Sequence, residues 1–193
     1  MIRLAAAVFA ALALSVPAAH AAKPAAAEPV GQLAQMLDEA RRMAIETYMA
    51  VVDANLESAA PLPPPVREAL AALVGKPGIP FATVDIESAR WKTSERPIAR
   101  VLFPQTYGQR GRAITHGTLI LVNDDFLTGE LCAVTARWAH EVTHVFQNRR
   151  DGRVEFLDRY LRESIEKGYE DISYEQEAYA VQRTAERAMG CGK

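Results

Sequence analysis

Hydrophobic patterning divides the chain into segments of different character. An apolar run from Leu4 to Val16 follows a single charge at Arg3 and ends in small residues, the arrangement of a secretory signal peptide. The run is about 13 residues, short of the roughly 20 that a spanning helix needs. Ala19-His20-Ala21 offers an A-x-A cleavage site, so residues 1–21 are expected to be a signal peptide and 22–31 a loose tether. Residues 32–60 then place Leu33, Leu37, Ala40, Ala44, Tyr48 and Val51 at helical spacing, which predicts a long amphipathic helix packed on the core. The prolines between Pro61 and Pro65 break it.

From residue 61 to 193 a single domain is expected. Val66 to Val74 reads as a short helix stopped by Gly75. Short β-rich runs at 81–86, 98–103 and 118–122, punctuated by Gly and Pro, predict a small antiparallel sheet. Ile114-Thr115 and Thr118–Val122 flank His116-Gly117, a spacing that predicts a tight hairpin. The pattern then returns to helical periodicity at 128–150, 154–167 and 174–189. Gly168 is a stop, and Ser173 with Gln176 fits a capping box. Helix, small sheet, then helices make the fold class α+β.

Composition removes several classes of function. With 22 basic and 24 acidic residues the net charge is -2, so there is no basic excess to neutralise phosphates and nucleic-acid binding is excluded. Two cysteines cannot hold a four-cysteine metal cluster. A chain cleaved after Ala21 keeps no membrane anchor and is expected in the periplasm or outside the cell. There Cys132 and Cys191 are expected to pair, closing a loop of about 59 residues.

The chemistry concentrates in His140-Glu141-Val142-Thr143-His144. Residues i and i+4 share a helix face, about 40° apart, so the two imidazoles can converge on one Zn2+. Glu141 leans beside the metal without ligating it, where a carboxylate can act as general base. Leu131, Val134, Trp138, Val142 and Val145 lie about 120° to 200° from His140, so the metal face is expected opposite the core face. Two histidines leave zinc short of a ligand, and Gln147 and Arg150 stand where the extended His-rich motif has its next histidines. A carboxylate from a later helix remains. Glu175 and Glu177 are the candidates, and at about 200° apart they cannot both face one metal.

These features resemble the gluzincin type of zinc metallopeptidase, in which H-E-x-x-H is followed on a later helix by a ligand Glu. The chain more closely resembles the metallopeptidase-like family known as the extracellular contractile injection system core domain. The resemblance runs over roughly residues 65 to 185, through Ala113-Ile114-Thr115, Leu119-Ile120-Leu121-Val122, Ala139 to Gln147, Arg159-Tyr160-Leu161, Gly168-Tyr169 and Glu175 to Tyr179. It implies that His140, His144 and Glu175 are the zinc ligands and Glu141 the catalytic base. It also implies that the strand around Thr118 to Val122 is the edge along which a peptide or protein substrate pairs. Tyr179 stands where many gluzincins carry an acid, so its hydroxyl is expected to accept the first histidine's N–H. His116, Tyr169 and Tyr174 are nominees for stabilising an oxyanion. The function implied is a periplasmic or secreted zinc peptidase, and its rival is a zinc-binding assembly module without efficient turnover.

Overall fold

A computed structural model describes residues 28–93 and 113–191. The signal segment, most of the tether and the run at 98–103 lie outside the described residues. Helix α1 (Glu28–Leu56) leads to a two-residue strand β1 (Ala60–Pro61), helix α2 (Pro64–Ala71), a short helix α3 (Thr83–Ser88) and strand β2 (Arg90–Thr93). Strands β3 (Ala113–His116) and β4 (Leu119–Val122) follow, then helices α4 (Leu131–Asp151), α5 (Arg153–Lys167) and α6 (Ser173–Met189). The class is α+β, as expected.

The four strands run in the order β1-β2-β4-β3. β4 reads Leu-Ile-Leu-Val and is buried along its whole length, because successive side chains enter different cores. Ile120 and Val122 join the main core with α4, whereas Leu119 and Leu121 pack with Ile45, Tyr48 and Val52 of α1 and Leu157 of α5. A strand apolar on both faces belongs inside a sheet with both faces covered. Two expectations change as a result. The sheet is mixed rather than wholly antiparallel, since β2 pairs with β4 in parallel. Among the described strands the edge next to the hairpin is β3, not the strand at 118–122.

The hairpin turn is Gly117-Thr118, one residue later than the spacing suggested, and His116 stays in β3 opposite Leu119. Gly117 has φ +60°, and a Cβ there would stand 2.9 Å from Arg153 Nε, so both conformation and space call for glycine. The run at 81–86 is not a strand: from Thr83 it forms α3. Asp85 decides this, accepting the Ala82 N–H at 2.8 Å and the Arg149 guanidinium at 2.6 and 3.0 Å. α1 buries Ile45, Tyr48 and Val52 and is tied down by Arg41 to Asp158 at 2.9 Å and Arg153 to Asp53 at 2.7 Å. Of its expected stripe Tyr48 is buried and Ala40 exposed.

In α4 the apolar stripe does face the main core, with Trp138 fully buried between Phe126 and Trp91. Leu131, at the first helical position, is 62% exposed and leaves the stripe. The opposite, histidine-bearing face is buried as well, because α5 and α6 cover it. Cys132 and Cys191 form the expected disulfide, with Cα atoms 5.7 Å apart, joining the first turn of α4 to the turn just after α6. Among the described residues no helix is long and apolar enough to cross a membrane.

The start of α6 is held from α5. Ser173 forms no capping box: its N–H donates to Glu163 Oε2 at 2.6 Å, its hydroxyl accepts from Arg159 at 3.0 Å, and Ile172 occupies the cap position. A charged acceptor from another helix replaces the local cap. Burial raises the Glu163 carboxyl, but the Ser173 N–H, the Arg159 guanidinium and Lys167 outweigh it and hold the group at about 2, below the ordinary 4.5. A depressed folded-state value means stabilisation that is full above pH 4.5 and lost as pH falls through about 2. Glu163→Gln is expected to destabilise the protein by about 1–2 kcal/mol at neutral pH. Denaturant melts should show the gap between variant and wild type closing as pH approaches 2; a gap independent of pH would contradict the assignment.

Candidate metal centre

α4 is helical through both histidines, so the i, i+4 spacing becomes geometry: His140 Nε2 and His144 Nε2 face each other at 3.2 Å. α6, started by Glu163, brings Glu175 in its first turn to the same point. Glu175 Oε2 lies 3.3 Å from His140 Nε2, and Glu175 Oε1 lies 3.5 Å from His144 Nε2. All three residues are buried, and Glu175 Oε2 has no hydrogen-bond partner.

This donor set fits a metal ion. Ligands about 2.0–2.1 Å from a tetrahedral centre stand about 3.3 Å apart, which is the spacing found. Two imidazole nitrogens and an unbonded carboxylate oxygen turned towards one point are costly without a cation or protons between them. A proton on His144 can take part of that role. Burial disfavours a charged His144, but the adjacent Glu175 carboxylate overrides it and lifts the imidazole to about 9. Burial also raises Glu175, yet the His144 and His140 imidazoles hold it well below the carboxylate range. A metal ion displaces such a proton on binding.

The cluster opens on a cavity of about 300 Å3 whose walls include Thr115, His116, His140, Glu141, His144 and Glu175. Glu141 shares the cavity with the ligand set but is not part of it. Its Oε2 accepts the Thr115 hydroxyl at 2.6 Å, a bond from β3 to α4. Tyr160 of α5 donates to Glu175 Oε1 at 2.8 Å, and Gln147 Oε1 meets His144 Nδ1 at 2.7 Å.

The structure thus brings His140, Glu141, His144 and Glu175 together and sorts the remaining candidates. Glu177 points elsewhere, to Arg150 at 3.1 Å and Gln147 at 2.9 Å. Tyr179 does not serve His140 as an acceptor: its ring meets the imidazole edge-on at 4.6 Å, and His140 Nδ1 is buried without a partner. Of the oxyanion nominees, His116 and Tyr169 line the cavity, while the Tyr174 hydroxyl donates to Asp151 at 2.9 Å. Burial, reinforced by Arg153, lowers His116 to about 4, and its Nε2 faces Met49 Sδ at 2.9 Å. The motif does not name Thr115, Tyr160 or Gln147 as site residues. Gln147 alone had a local signal, since three residues after His144 it falls on the same side of α4. Compared with protein-family models, curated proteins and solved structures, the chain matches none of them.

Proposed function

We propose that this chain is a zinc-dependent peptidase of gluzincin type, working in the periplasm or outside the cell. The observation that carries the reading is a carboxylate, Glu141, beside a two-histidine, one-carboxylate cluster and excluded from it. That separation of roles is what a metal-assisted hydrolase needs. Zinc held by His140, His144 and Glu175 would supply Lewis acidity at a remaining open position.

The other tasks fall to the chain itself. Glu141, with one oxygen held by the Thr115 hydroxyl, takes the proton of the attacking water and returns it to the leaving amine. β3 is outermost among the described strands and contributes to the cavity wall. Because His116 and Leu119 close a two-residue turn, the Thr115 backbone N–H and C=O point away from β4. An extended peptide can pair there as an added strand. The Cys132–Cys191 disulfide agrees with an oxidising compartment.

One observation favours the rival reading, a zinc-binding module with weak turnover. His140 Nδ1 lacks the partner that usually orients a ligand histidine. Metal analysis of protein purified without added zinc, with a general peptide-hydrolysis assay and a hydroxamate titration, separates the two. The peptidase should carry about one zinc per chain, cleave peptide, and lose activity as the hydroxamate binds. Stoichiometric zinc without cleavage would favour the module, and absence of zinc would end both readings.

A further inference from the structure

Gln147 does not line the cavity, yet it is fully buried and both ends of its amide are engaged. Its Nε2 donates to the Tyr174 carbonyl at 3.0 Å and to Glu177 Oε2 at 2.9 Å. A backbone carbonyl can only accept, so the NH2 must face α6 and Oε1 must face the imidazole of His144. The reversed amide would set oxygen against oxygen at Tyr174. At 2.7 Å from Gln147 Oε1, His144 Nδ1 therefore carries hydrogen and donates. Nε2 is then the nitrogen left to bind a metal, on the side of His140 and Glu175.

The same amide joins the two helices that supply ligands. His140 and His144 ride on α4, while Glu175 follows directly after Tyr174, whose carbonyl Gln147 holds. His140 has no equivalent hold, its Nδ1 being buried and unpartnered.

We infer that Gln147 is the positioning residue of the metal centre: it fixes the ring of His144 with Nε2 presented to the ion and clamps α4 to α6 so that Glu175 arrives at the same point. The inference rests on the metal-centre reading and is independent of whether the site hydrolyses peptides. Tying one amide to a ring nitrogen, a carbonyl and a carboxylate makes ligand assembly and helix docking a single event.

Zinc affinity tests it, measured by competition with a colorimetric chelator at fixed pH and paired with the thermal midpoint of the zinc-free protein. Gln147→Met keeps the length of the side chain and loses both hydrogen-bonding ends, and should weaken zinc by about 10- to 100-fold in folded protein. Gln147→Glu sets a carboxylate against the Tyr174 carbonyl and Glu177 and should also weaken it. Adding Glu177→Gln to Gln147→Glu restores a donor at 177 and an acceptor for His144 while the Tyr174 carbonyl stays unpaired, and should recover part of the loss in zinc affinity without a matching gain in the zinc-free thermal midpoint, a pattern that a merely structural role would not produce. Wild-type affinity in Gln147→Met would overturn the inference. So would a double variant binding no tighter than Gln147→Glu alone, which decides the matter if Gln147→Met fails to fold. Failure of the wild type to bind zinc would overturn the metal-centre reading, and this role with it, in an arm that contains no substitution at 147.

Discussion

Glu141→Gln is expected to lower peptide hydrolysis by a factor of about 100 to 10,000 while zinc content stays at one per chain. The side chain is buried at the cavity wall and is absent from the ligand cluster, so the amide removes a base without removing a donor to the metal. Glutamine is isosteric, and its Oε1 can still accept the Thr115 hydroxyl that the carboxylate accepts at 2.6 Å, so the thermal midpoint should hardly move. The kinetic signature should be an equal fall in kcat and kcat/KM, the mark of an interaction made in the transition state. Loss of zinc in this variant would make Glu141 a ligand. Unchanged turnover would refute its role as base.

The second large effect separates two acids on one helix. Typical zinc affinities of about 10–16 kcal/mol, shared among three ligands, leave about 3–5 kcal/mol each, so Glu175→Ala should weaken zinc by about 100-fold or more. Glu177→Ala removes an acceptor for Gln147 and the ion pair with Arg150, and should cost about tenfold or less. Chelator competition on the two variants is the comparison to make. The reverse order of losses would transfer the ligand role to Glu177, and two small losses would place the third ligand outside α6.

Those acids also show how far local reasoning reaches. Helix periodicity alone makes His140 and His144 neighbours and sets Glu175 and Glu177 on different faces, because residues four and two apart have fixed angular relations in any α-helix. The same local geometry predicts the α4 stripe of Val134, Trp138, Val142 and Val145, all of them buried. The disulfide was legible for another reason: two cysteines allow only one intramolecular pairing.

Tertiary structure decided what lies between elements. Periodicity places the histidines opposite the core face, and α5 and α6 close over that side and bury His140 and His144. β4 is central because its alternating side chains have cores on both sides, and this makes β3 the outer strand beside it among the described residues. The residues from 83 to 88 form a helix whose start Asp85 caps locally at Ala82 and whose place is held by Arg149, 64 positions away. Thr115 reaches Glu141 across 26 positions, Tyr160 reaches Glu175 across 15, and Gln147 reaches Tyr174 across 27. Periodicity fixes directions within one element, whereas a hydrogen bond between elements exists only once packing has set their distance and rotation. The sequence by itself therefore determined the helix that carries the two histidines and the carboxylates able to join them. Packing of α5 and α6 on α4 decided which carboxylate does, and which side chains hold it there.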